Sequence, residues 1–266
     1  RSSAASDVYK RQKEHHDYKY ATVVHCDTPS GMLNPVEKIC PLLKEYGILT
    51  VVDSVSGMFG NHMDVDKFQI DLLCGGSQKA VSAPPGLTFV TISDAVKDAM
   101  HERKTPIRSF YASLLAFEGY YEKKWFPYTM PISDIYGLRA AFDNIASDPE
   151  LEERTHRIAE AARRALTEAG LKLHLESGFS DTVTVFDIPA ETTCDAILSR
   201  MKKEHNIMLA GSFDDLSGKV IRIGHMGNNA NFEDMAATMY ALSETLTFLG
   251  VNLKGDLTGL FLKYYH

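Results

Sequence analysis

A lysine lies in a loop whose glycines and prolines allow the backbone to approach a ligand. Lys79 follows an apolar run at 70–74 and two glycines, and the loop ends at a Pro-Pro-Gly turn at 84–86. Glycine permits close backbone approach to a bound molecule, and a lysine amine can attack a carbonyl carbon. Most loop lysines are simply solvated, so it is the setting of Lys79 that makes it a candidate catalytic residue.

A carboxylate closes a second apolar run. Asp53 follows the sequence Ile-Leu-Thr-Val-Val at 48–52. Ligands of open α/β sheets bind beyond the carboxyl ends of the strands, so Asp53 and Lys79 can converge on one ligand. A buried carboxylate needs a cationic or hydrogen-bonding partner. That partner could be the protonated pyridine of pyridoxal phosphate (PLP). It could also be a lysine, an arginine or backbone amides, which the position of Asp53 alone favours.

An arginine lies within an alternating run near the end of the chain. In the segment 220–224, the period of a strand puts Ile221 and Ile223 on one face and Arg222 on the other. A guanidinium group there can hold a substrate carboxylate through two parallel hydrogen bonds. An arginine on a solvated sheet face is at least as common, so both interpretations stay open at this point.

Other catalytic motifs are absent from the sequence. It contains no G-x-S-x-G elbow, no P-loop, no G-x-G-x-x-G and no H-E-x-x-H. The ten histidines are dispersed along the chain. His25 and His225 lie next to the proposed site in sequence, and we expect packing or supporting roles for both. The chemistry of the chain is therefore expected to depend on Lys79, Asp53 and Arg222.

The composition is typical of a soluble globular protein. A chain of 266 residues can bury a sizeable core and form one or two domains. A net charge of −7 makes nucleic acid and anionic membranes poor partners. The four cysteines form no C-x-x-C pair, so we expect reduced core residues, a cytoplasmic location and no zinc site. No apolar run approaches transmembrane length, and no signal peptide is recognisable.

The spacing of apolar residues predicts an α/β fold. In the first half, strands are predicted at 20–26, 48–53, 70–74 and 87–92, with helices at 34–46 and 93–103. Strands and helices that alternate with short connections indicate a mostly parallel sheet. The second half predicts a smaller C-terminal α+β domain, with strands at 172–176, 182–188, 207–210 and 220–223 and helices at 149–169, 194–205 and 232–249. Asn34, Ser93, Asp148 and Asn231 are predicted helix caps, and Pro41 is expected to kink or shorten its helix.

These elements suggest a division of the chain into four segments. We expect residues 1–17 to be a disordered tail or a remnant of expression cloning, because they are polar and patternless. Residues 18–147 are expected to form a large domain that ends in a bridging helix, and residues 148–250 a small domain. Residues 251–266 are expected to be a tail.

Four colinear blocks of the sequence resemble the class V aminotransferases. The blocks are residues 25–35, 52–55, 76–86 and 222–224, and the Ser-Gln-Lys-Ala and Ala-Pro-Pro-Gly runs at 77–80 and 83–86 are highly specific. Within that group the chain is most similar to the alanine–glyoxylate and serine–glyoxylate (or serine–pyruvate) enzymes, over about residues 18 to 249. The resemblance implies fold type I, PLP as the cofactor, and transamination between alanine or serine and glyoxylate or pyruvate.

The resemblance also assigns roles to individual residues. Lys79 would form the Schiff base with PLP, and Asp53 would pair with the pyridinium nitrogen. Thr28 would hydrogen-bond near the ring oxygen, and Gln78 would contact the phosphate. Arg222 would bind the substrate α-carboxylate.

A further assignment implies a homodimer with active sites at its interface. Thr129 matches a threonine that reaches the phosphate of the neighbouring subunit's cofactor. Phe126 stands where the family usually has a tyrosine, so one phosphate hydrogen bond is expected to be missing. These enzymes also carry a long N-terminal segment with a glycine-rich phosphate loop and an aromatic residue that stacks on PLP. The sequence lacks that segment, so we expect residues 18–147 to be a partial PLP-binding domain.

Two alternative functions stay open. The first is a PLP-dependent lyase of the same fold, such as a cysteine desulfurase or kynureninase relative. Desulfurase relatives usually have histidine directly before the lysine, and Gln78 at this position favours transamination. The second is a truncated, non-catalytic fragment that binds no cofactor and acts at most as an interaction module.

Overall fold

A computed structural model describes residues 17–266 of the chain. The tail expected at residues 1–17 therefore lies outside the described residues, except for Asp17. The elements run in the order β1 (Tyr20–Val24), β2 (Cys26–Asp27), β3 (Met32–Leu33), α1 (Val36–Glu45), β4 (Leu49–Asp53), β5 (Leu72–Gly76), β6 (Thr88–Ile92), α2 (Asp94–His101), α3 (Tyr120–Lys123), α4 (Ile132–Ala146), α5 (Leu151–Glu168), β7 (Val183–Asp187), α6 (Cys194–His205), β8 (Val220–Gly224), α7 (Phe232–Phe248) and α8 (Leu257–Tyr265). Within residues 17–266, no helix combines the length and the apolar character needed to cross a bilayer.

A four-stranded sheet organises the first half of the chain. Its strand order is β1-β4-β5-β6, in which β4 runs parallel to both β1 and β5 while β6 is antiparallel to β5. Val24, Asp53 and Cys74 are register partners, so β1 and β4 end in line and β5 continues past them to Gly76. The fold is thus α/β with a mostly parallel sheet, which confirms the predicted class.

Helix α1 covers one face of this sheet. Its buried residues Val36 and Cys40 share a core cluster with Val52 of β4 and Leu73 of β5. Pro41 lies inside α1, yet the helix continues to Glu45 because the buried side chains on either side of the proline hold it against the sheet. The predicted cap was wrong: Pro35 precedes the first turn, and the Asn34 side chain instead donates to the Val24 carbonyl over 2.8 Å.

The second half packs four helices around a two-stranded antiparallel sheet. β7 and β8 pair with each other, and buried residues from α5, α6, α7 and α8 form one core cluster with them. Within this cluster α8, at the end of the chain, buries Leu257 and Phe261. The predicted Ser93 and Asn231 caps are confirmed, since their side chains accept the backbone N–H groups of Val96 and Asp234. The predicted Asp148 cap was wrong: α5 begins at Leu151 without a side-chain cap, because the Asp148 carboxylate pairs with Arg154 instead.

Two predicted strands of the second half are wrong. The segments 172–176 and 207–210 each form a single bridge, Leu173 with Phe186 and Ala210 with Arg222. The first segment makes only a few backbone hydrogen bonds to β7, such as His174 N–H to the Val185 carbonyl. Gly178, in the left-handed backbone region, then takes the chain away from β7. Strand-like composition is therefore not sufficient for a full ladder at these places.

A buried histidine follows β1. The His25 backbone N–H donates to the Asp53 carbonyl over 2.8 Å, which extends the β1–β4 pairing by one bond. Its Nδ1 lies 2.8 Å from the Ser54 hydroxyl, and its ring packs against Gly57, where a Cβ atom would overlap the imidazole. Burial lowers the pKa of His25 to about 4, so the ring is neutral at neutral pH.

A second buried histidine follows β8. The Nδ1 atom of His225 lies 3.0 Å from the Asp181 carbonyl, and its Nε2 atom lies 2.8 Å from the Thr184 hydroxyl. A carbonyl oxygen only accepts, so Nδ1 carries the proton and Nε2 accepts from Thr184. Burial, with a smaller contribution from the Arg163 charge, lowers the pKa of His225 to about 4.

We predict that the free energy of unfolding falls as the pH drops from about 6.5 to about 4. An unfolded histidine binds a proton near pH 6.5, whereas the folded pKa of both His25 and His225 is about 4. In this window the unfolded state therefore binds more protons, and stability that is fully present above pH 6.5 is lost on acidification. Each histidine contributes a slope of about 1.4 kcal/mol per pH unit.

Urea denaturation at pH 7, 6 and 5 measures this slope. His225→Gln should reduce it by about 1.4 kcal/mol per pH unit, because one of the two linked protons is removed. His266→Gln, at an exposed histidine without an ion pair among residues 17–266, is the matched control and should leave the slope unchanged. A slope that is the same in the His225→Gln variant and in the wild type would contradict the assignment.

Candidate active site

The candidate site lies at the edge where β1, β4 and β5 end. The loops that follow these strands begin at His25, Ser54 and Ser77. Because Val24, Asp53 and Cys74 are register partners, the three loops leave the sheet side by side. The predicted residues Thr28, Asp53 and Lys79 therefore all lie on or next to this edge, as the parallel-strand argument expects.

The loop that carries Lys79 is closed on itself by Ser77. The buried Ser77 hydroxyl donates to the Pro84 carbonyl over 2.6 Å, and its backbone N–H donates to the Leu87 carbonyl over 3.0 Å. Lys79 itself is half-buried, and none of residues 17–266 accepts a hydrogen bond from its amine. The loop thus holds the Lys79 backbone firmly while the amine stays available to a ligand.

The charge of Lys79 acts toward the end of β1. Burial is the main influence on Cys26 and raises the pKa of its thiol. Hydrogen bonds between the thiol and the Ser180 and Thr182 hydroxyls act in the opposite direction, and so does the positive charge of Lys79.

The carboxylate of Asp53 differs from the expectation. The sequence predicts a buried acid facing a cation, whereas the Asp53 side chain is exposed and its Oδ1 atom accepts the Val55 backbone N–H over 2.9 Å. Among the described residues no cation pairs with it. The reason is its place in the sheet: Val24 and Cys74, its register partners, point to the same face, which α1 does not cover. The carboxylate is therefore open to a ligand.

Arg222 reaches the same edge from the second half of the chain. It lies in β8, where its backbone also bridges to Ala210, and its Nε donates to the Gly211 carbonyl over 2.5 Å. Its Nη1 atom lies 3.5 Å from the Thr28 carbonyl, in the loop after β1. Burial lowers the pKa of the half-buried Arg222. Its other guanidinium N–H groups have no acceptor within residues 17–266, so they can receive an anionic ligand.

The Thr28 side chain connects two of the three loops. Its hydroxyl donates to the Ser56 hydroxyl over 2.7 Å, and Ser56 lies three residues after Asp53. Together with the contact to Arg222, this places Thr28 between the acid and the arginine along the edge of the sheet. Thr28 and Arg222 are separated by 194 residues in sequence, so only the fold brings them together.

A buried network of polar side chains, which the sequence did not reveal, lies next to this contact. The Ser180 hydroxyl contacts Cys26 Sγ at 3.2 Å, Thr182 Oγ1 at 2.8 Å and Asn61 Nδ2 at 3.2 Å. Thr182 in turn donates to the Ser56 carbonyl over 2.7 Å. This network joins the entry to β7 with the loops after β1 and β4. Serine, threonine and asparagine are common surface residues, so no signal in the sequence marked them.

Two further predicted cofactor residues make no side-chain hydrogen bond to Thr28, Asp53, Lys79 or Arg222 among residues 17–266. Gln78 is exposed, and its side chain folds back against Gly76. Thr129 is exposed in the irregular segment between α3 and α4, and within residues 17–266 it has no side-chain hydrogen bond to any other predicted site residue. Thr129 therefore does not join the site of its own chain, and its assigned role toward a neighbouring subunit stays a prediction.

The donor set indicates which ligand chemistry the edge can accommodate. The Lys79 amine can attack a carbonyl carbon, and the Asp53 carboxylate has a spare oxygen that can accept from a protonated ring nitrogen. The Arg222 guanidinium can hold a carboxylate, and the Thr28 hydroxyl can bond a ring oxygen. Among residues 17–266 no group of histidines, cysteines and acids suits a metal ion. These groups fit a planar aldehyde cofactor and a carboxylate substrate.

Comparison with known proteins is consistent with this chemistry. The family model for class V aminotransferases matches residues 8–212. An uncharacterized aminotransferase of Methanocaldococcus jannaschii is 36% identical over 242 residues, which cover 90% of this chain and 62% of the relative. The alanine–glyoxylate aminotransferase of Callithrix jacchus is 33% identical over 235 residues, which cover 84% of this chain and 56% of that enzyme. The chain thus spans less than two thirds of the length of these curated relatives.

A solved structure agrees with the fold. The ureidoglycine–glyoxylate aminotransferase of Bacillus subtilis superposes with a TM-score of 0.93 at 26% sequence identity, over 98% of this chain and 69% of that one. Both the sequence match, which extends over most of the chain, and the shared architecture of the sheet point to the same group. The chain belongs to the class V aminotransferase family.

Proposed function

We propose that the protein transfers an amino group between a small amino acid, alanine or serine, and a 2-oxo acid, glyoxylate or pyruvate. The observation that carries the proposal is the position of Arg222, which reaches Thr28 at the sheet edge that also holds Asp53 and Lys79. The similarity to an alanine–glyoxylate aminotransferase supports the substrate class.

We further propose that PLP is the cofactor, held by Lys79, Asp53, Thr28 and Gln78. When bound, PLP supplies a ring that accepts the negative charge developing at the substrate Cα. The cofactor-binding domain would comprise residues 18–147, and residues 148–250, against which α8 packs, would form the small domain that supplies Arg222. The exposed Asp53 carboxylate and the half-buried Lys79 amine support this assignment, because both are accessible to a ligand.

Each of the proposed site residues has a separate role in the reaction. Arg222 binds the substrate carboxylate with two N–H groups and thereby fixes the orientation of the Cα–H bond toward the Lys79 amine. Lys79 Nζ would take the proton from Cα of the amino acid and pass it to the aldehyde carbon of the cofactor, and in the half-reaction with the 2-oxo acid it would carry the proton back. Asp53 would hold a proton on the ring nitrogen, which would keep the ring electron-poor. The Thr28 hydroxyl, which contacts Ser56, would bond the ring oxygen.

A homodimer with cofactor sites at the interface is part of the proposal. The segment that carries Thr129 exposes a cluster of aromatic rings, among them Tyr111, Trp125 and Phe126. Exposed aromatic clusters of this kind are typical of protein–protein interfaces. Thr129 would then hydrogen-bond the phosphate in the neighbouring subunit. We also propose a cytoplasmic location, which the four free thiols support.

Lys79→Ala should abolish the covalent link to PLP. After incubation with PLP and reduction with borohydride, the peptide that contains Lys79 should carry the mass of the reduced cofactor in the wild type. The control Lys97→Ala, at an exposed lysine on α2, should carry the same adduct on Lys79. Turnover of Lys79→Ala should fall by at least about 10²-fold, because a positioned proton carrier is lost.

Peptide mass spectrometry and a keto acid assay measure both outcomes. An adduct on a different lysine would remove Lys79 from the mechanism. A wild-type chain that takes up no PLP would support the non-catalytic fragment instead. Release of sulfide from cysteine, rather than keto acid formation with glyoxylate or pyruvate, would identify the protein as a lyase.

Arg222→Lys should weaken substrate binding. Lysine keeps the positive charge but cannot form two parallel hydrogen bonds to a carboxylate. A charged hydrogen bond contributes about 1.5–3 kcal/mol, so we expect KM for both the amino acid and the 2-oxo acid to rise by about 10- to 100-fold. Arg139→Lys, an exposed arginine paired with Asp143 on α4, is the control and should leave KM unchanged. Steady-state kinetics with alanine and glyoxylate measure these KM values. An unchanged KM in Arg222→Lys would exclude Arg222 as the group that binds the substrate carboxylate.

A further inference from the structure

The loop that carries Lys79 is packed between two parts of the chain. On one side Val81 and Ala83 share a small core cluster with Ala141 of α4. On the other side lies the turn at 227–229, which follows β8 and therefore the strand that carries Arg222. The proposed amine and the proposed carboxylate-binding arginine thus come from different halves of the chain, and their loops touch at this turn.

The approach at the turn is close enough to require glycine. Gly227 is buried and has a φ of +59°, in the left-handed region that favours glycine. A Cβ atom at this position would overlap the Ala80 carbonyl and the Ser82 hydroxyl. The Ala80 oxygen belongs to the backbone, so no rotation of a side chain could relieve the overlap. The two loops would have to move apart.

A hydrogen bond joins the loops at the same place. The Asn228 backbone N–H donates to the Ser82 hydroxyl over 2.9 Å. Ser82 is itself in the left-handed region, with a φ of 59°, and its N–H donates to the Lys79 carbonyl over 2.9 Å. A non-glycine residue keeps this backbone only where its surroundings hold it. The strained residue that contacts the turn is therefore hydrogen-bonded directly to the backbone of Lys79.

The path from the turn to Arg222 is equally rigid. Between them His225 is buried and bonded on both ring nitrogens, and its backbone N–H donates to the Thr182 carbonyl over 3.0 Å. Arg222 is bridged to Ala210 through two backbone hydrogen bonds. The segment from Arg222 to His225 is consequently held in place, so a Cβ atom at Gly227 would push the Lys79 loop away from Arg222.

We propose that Gly227 and Ser82 are positioning residues, which set the distance between the Lys79 amine and the Arg222 guanidinium by fixing the contact between their loops. This inference rests on the proposed function, in which one substrate is held by Arg222 and acted on by Lys79. Neither residue touches the substrate. The close approach at Gly227 fixes the distance between the two loops more strongly than the hydrogen bond of Ser82 does. Ser82 is exposed, so water can replace its hydroxyl.

The test uses 2-methylalanine, which has the amine and carboxylate of a substrate but no Cα–H, so it binds the PLP-loaded protein without turnover. Titration of the visible spectrum gives its Kd. Gly227→Ala should raise Kd by about 10- to 100-fold, since small displacements of binding groups have effects of this size. The control is Gly218→Ala, because Gly218 has a similar φ of +69° but no atom within 4 Å of an added Cβ. Its Kd should stay within about twofold of the wild-type value.

A second variant covers the case in which Gly227→Ala does not fold. Ser82→Ala should raise Kd by about threefold and, in the cofactor-free protein, should accelerate hydrogen exchange of the Asn228 amide, a readout that needs no activity. Equal Kd values for Gly227→Ala and Gly218→Ala would overturn the inference, and so would a Ser82→Ala variant with unchanged Kd and exchange. If Kd contradicts the inference in one of these ways but the PLP adduct forms on Lys79 in every variant, the proposed function still stands. A wild-type chain without the adduct overturns both.

Discussion

The joint between the two halves of the chain is the constraint on which the candidate site depends. The sheet of the first half presents Asp53 and Lys79, whereas Arg222 lies on a strand of the second half. Apolar packing is not directional and would allow the halves to slide. The buried hydrogen bonds of Ser180 and Thr182 are directional, and leaving one unmade costs the desolvation of a polar group. They therefore set one relative position of the halves, and with it the geometry that a ligand meets.

Much of the fold follows from local patterns in the sequence. The β1–β4–β5 sheet was predictable because each strand is a short apolar run with a helix or turn after it, and parallel strands bring their ends to one edge. That rule alone placed Asp53 and Lys79 at the same edge. The Ser93 cap was predictable for the same reason, since a cap is a local interaction. The prediction of Asn34 as a helix cap was wrong because a more distant acceptor, the Val24 carbonyl, competed for its side chain.

The remaining features depend on residues that are far apart in the sequence. The contact of Arg222 with Thr28, and of Gly227 with the Lys79 loop, joins segments separated by well over a hundred residues. A single glycine or serine in the sequence gives no indication of which distant segment it meets. The exposure of Asp53 was missed for a related reason. Apolar residues before it predict a buried strand, but they do not reveal which face of the sheet the helices cover.

The electrostatics of the site follow from what burial does to its neighbours. His25 and His225 lie next to the reactive edge, but burial lowers the pKa of each to about 4, so neither carries a positive charge at neutral pH. Burial also lowers the pKa of Arg222, yet a guanidinium group starts from so high a pKa that it stays charged. In the proposed function, the positive charge that a substrate carboxylate meets is therefore concentrated on Arg222. The N–H groups of Arg222 that have no acceptor within residues 17–266 would bind this carboxylate and orient the substrate before any chemistry begins.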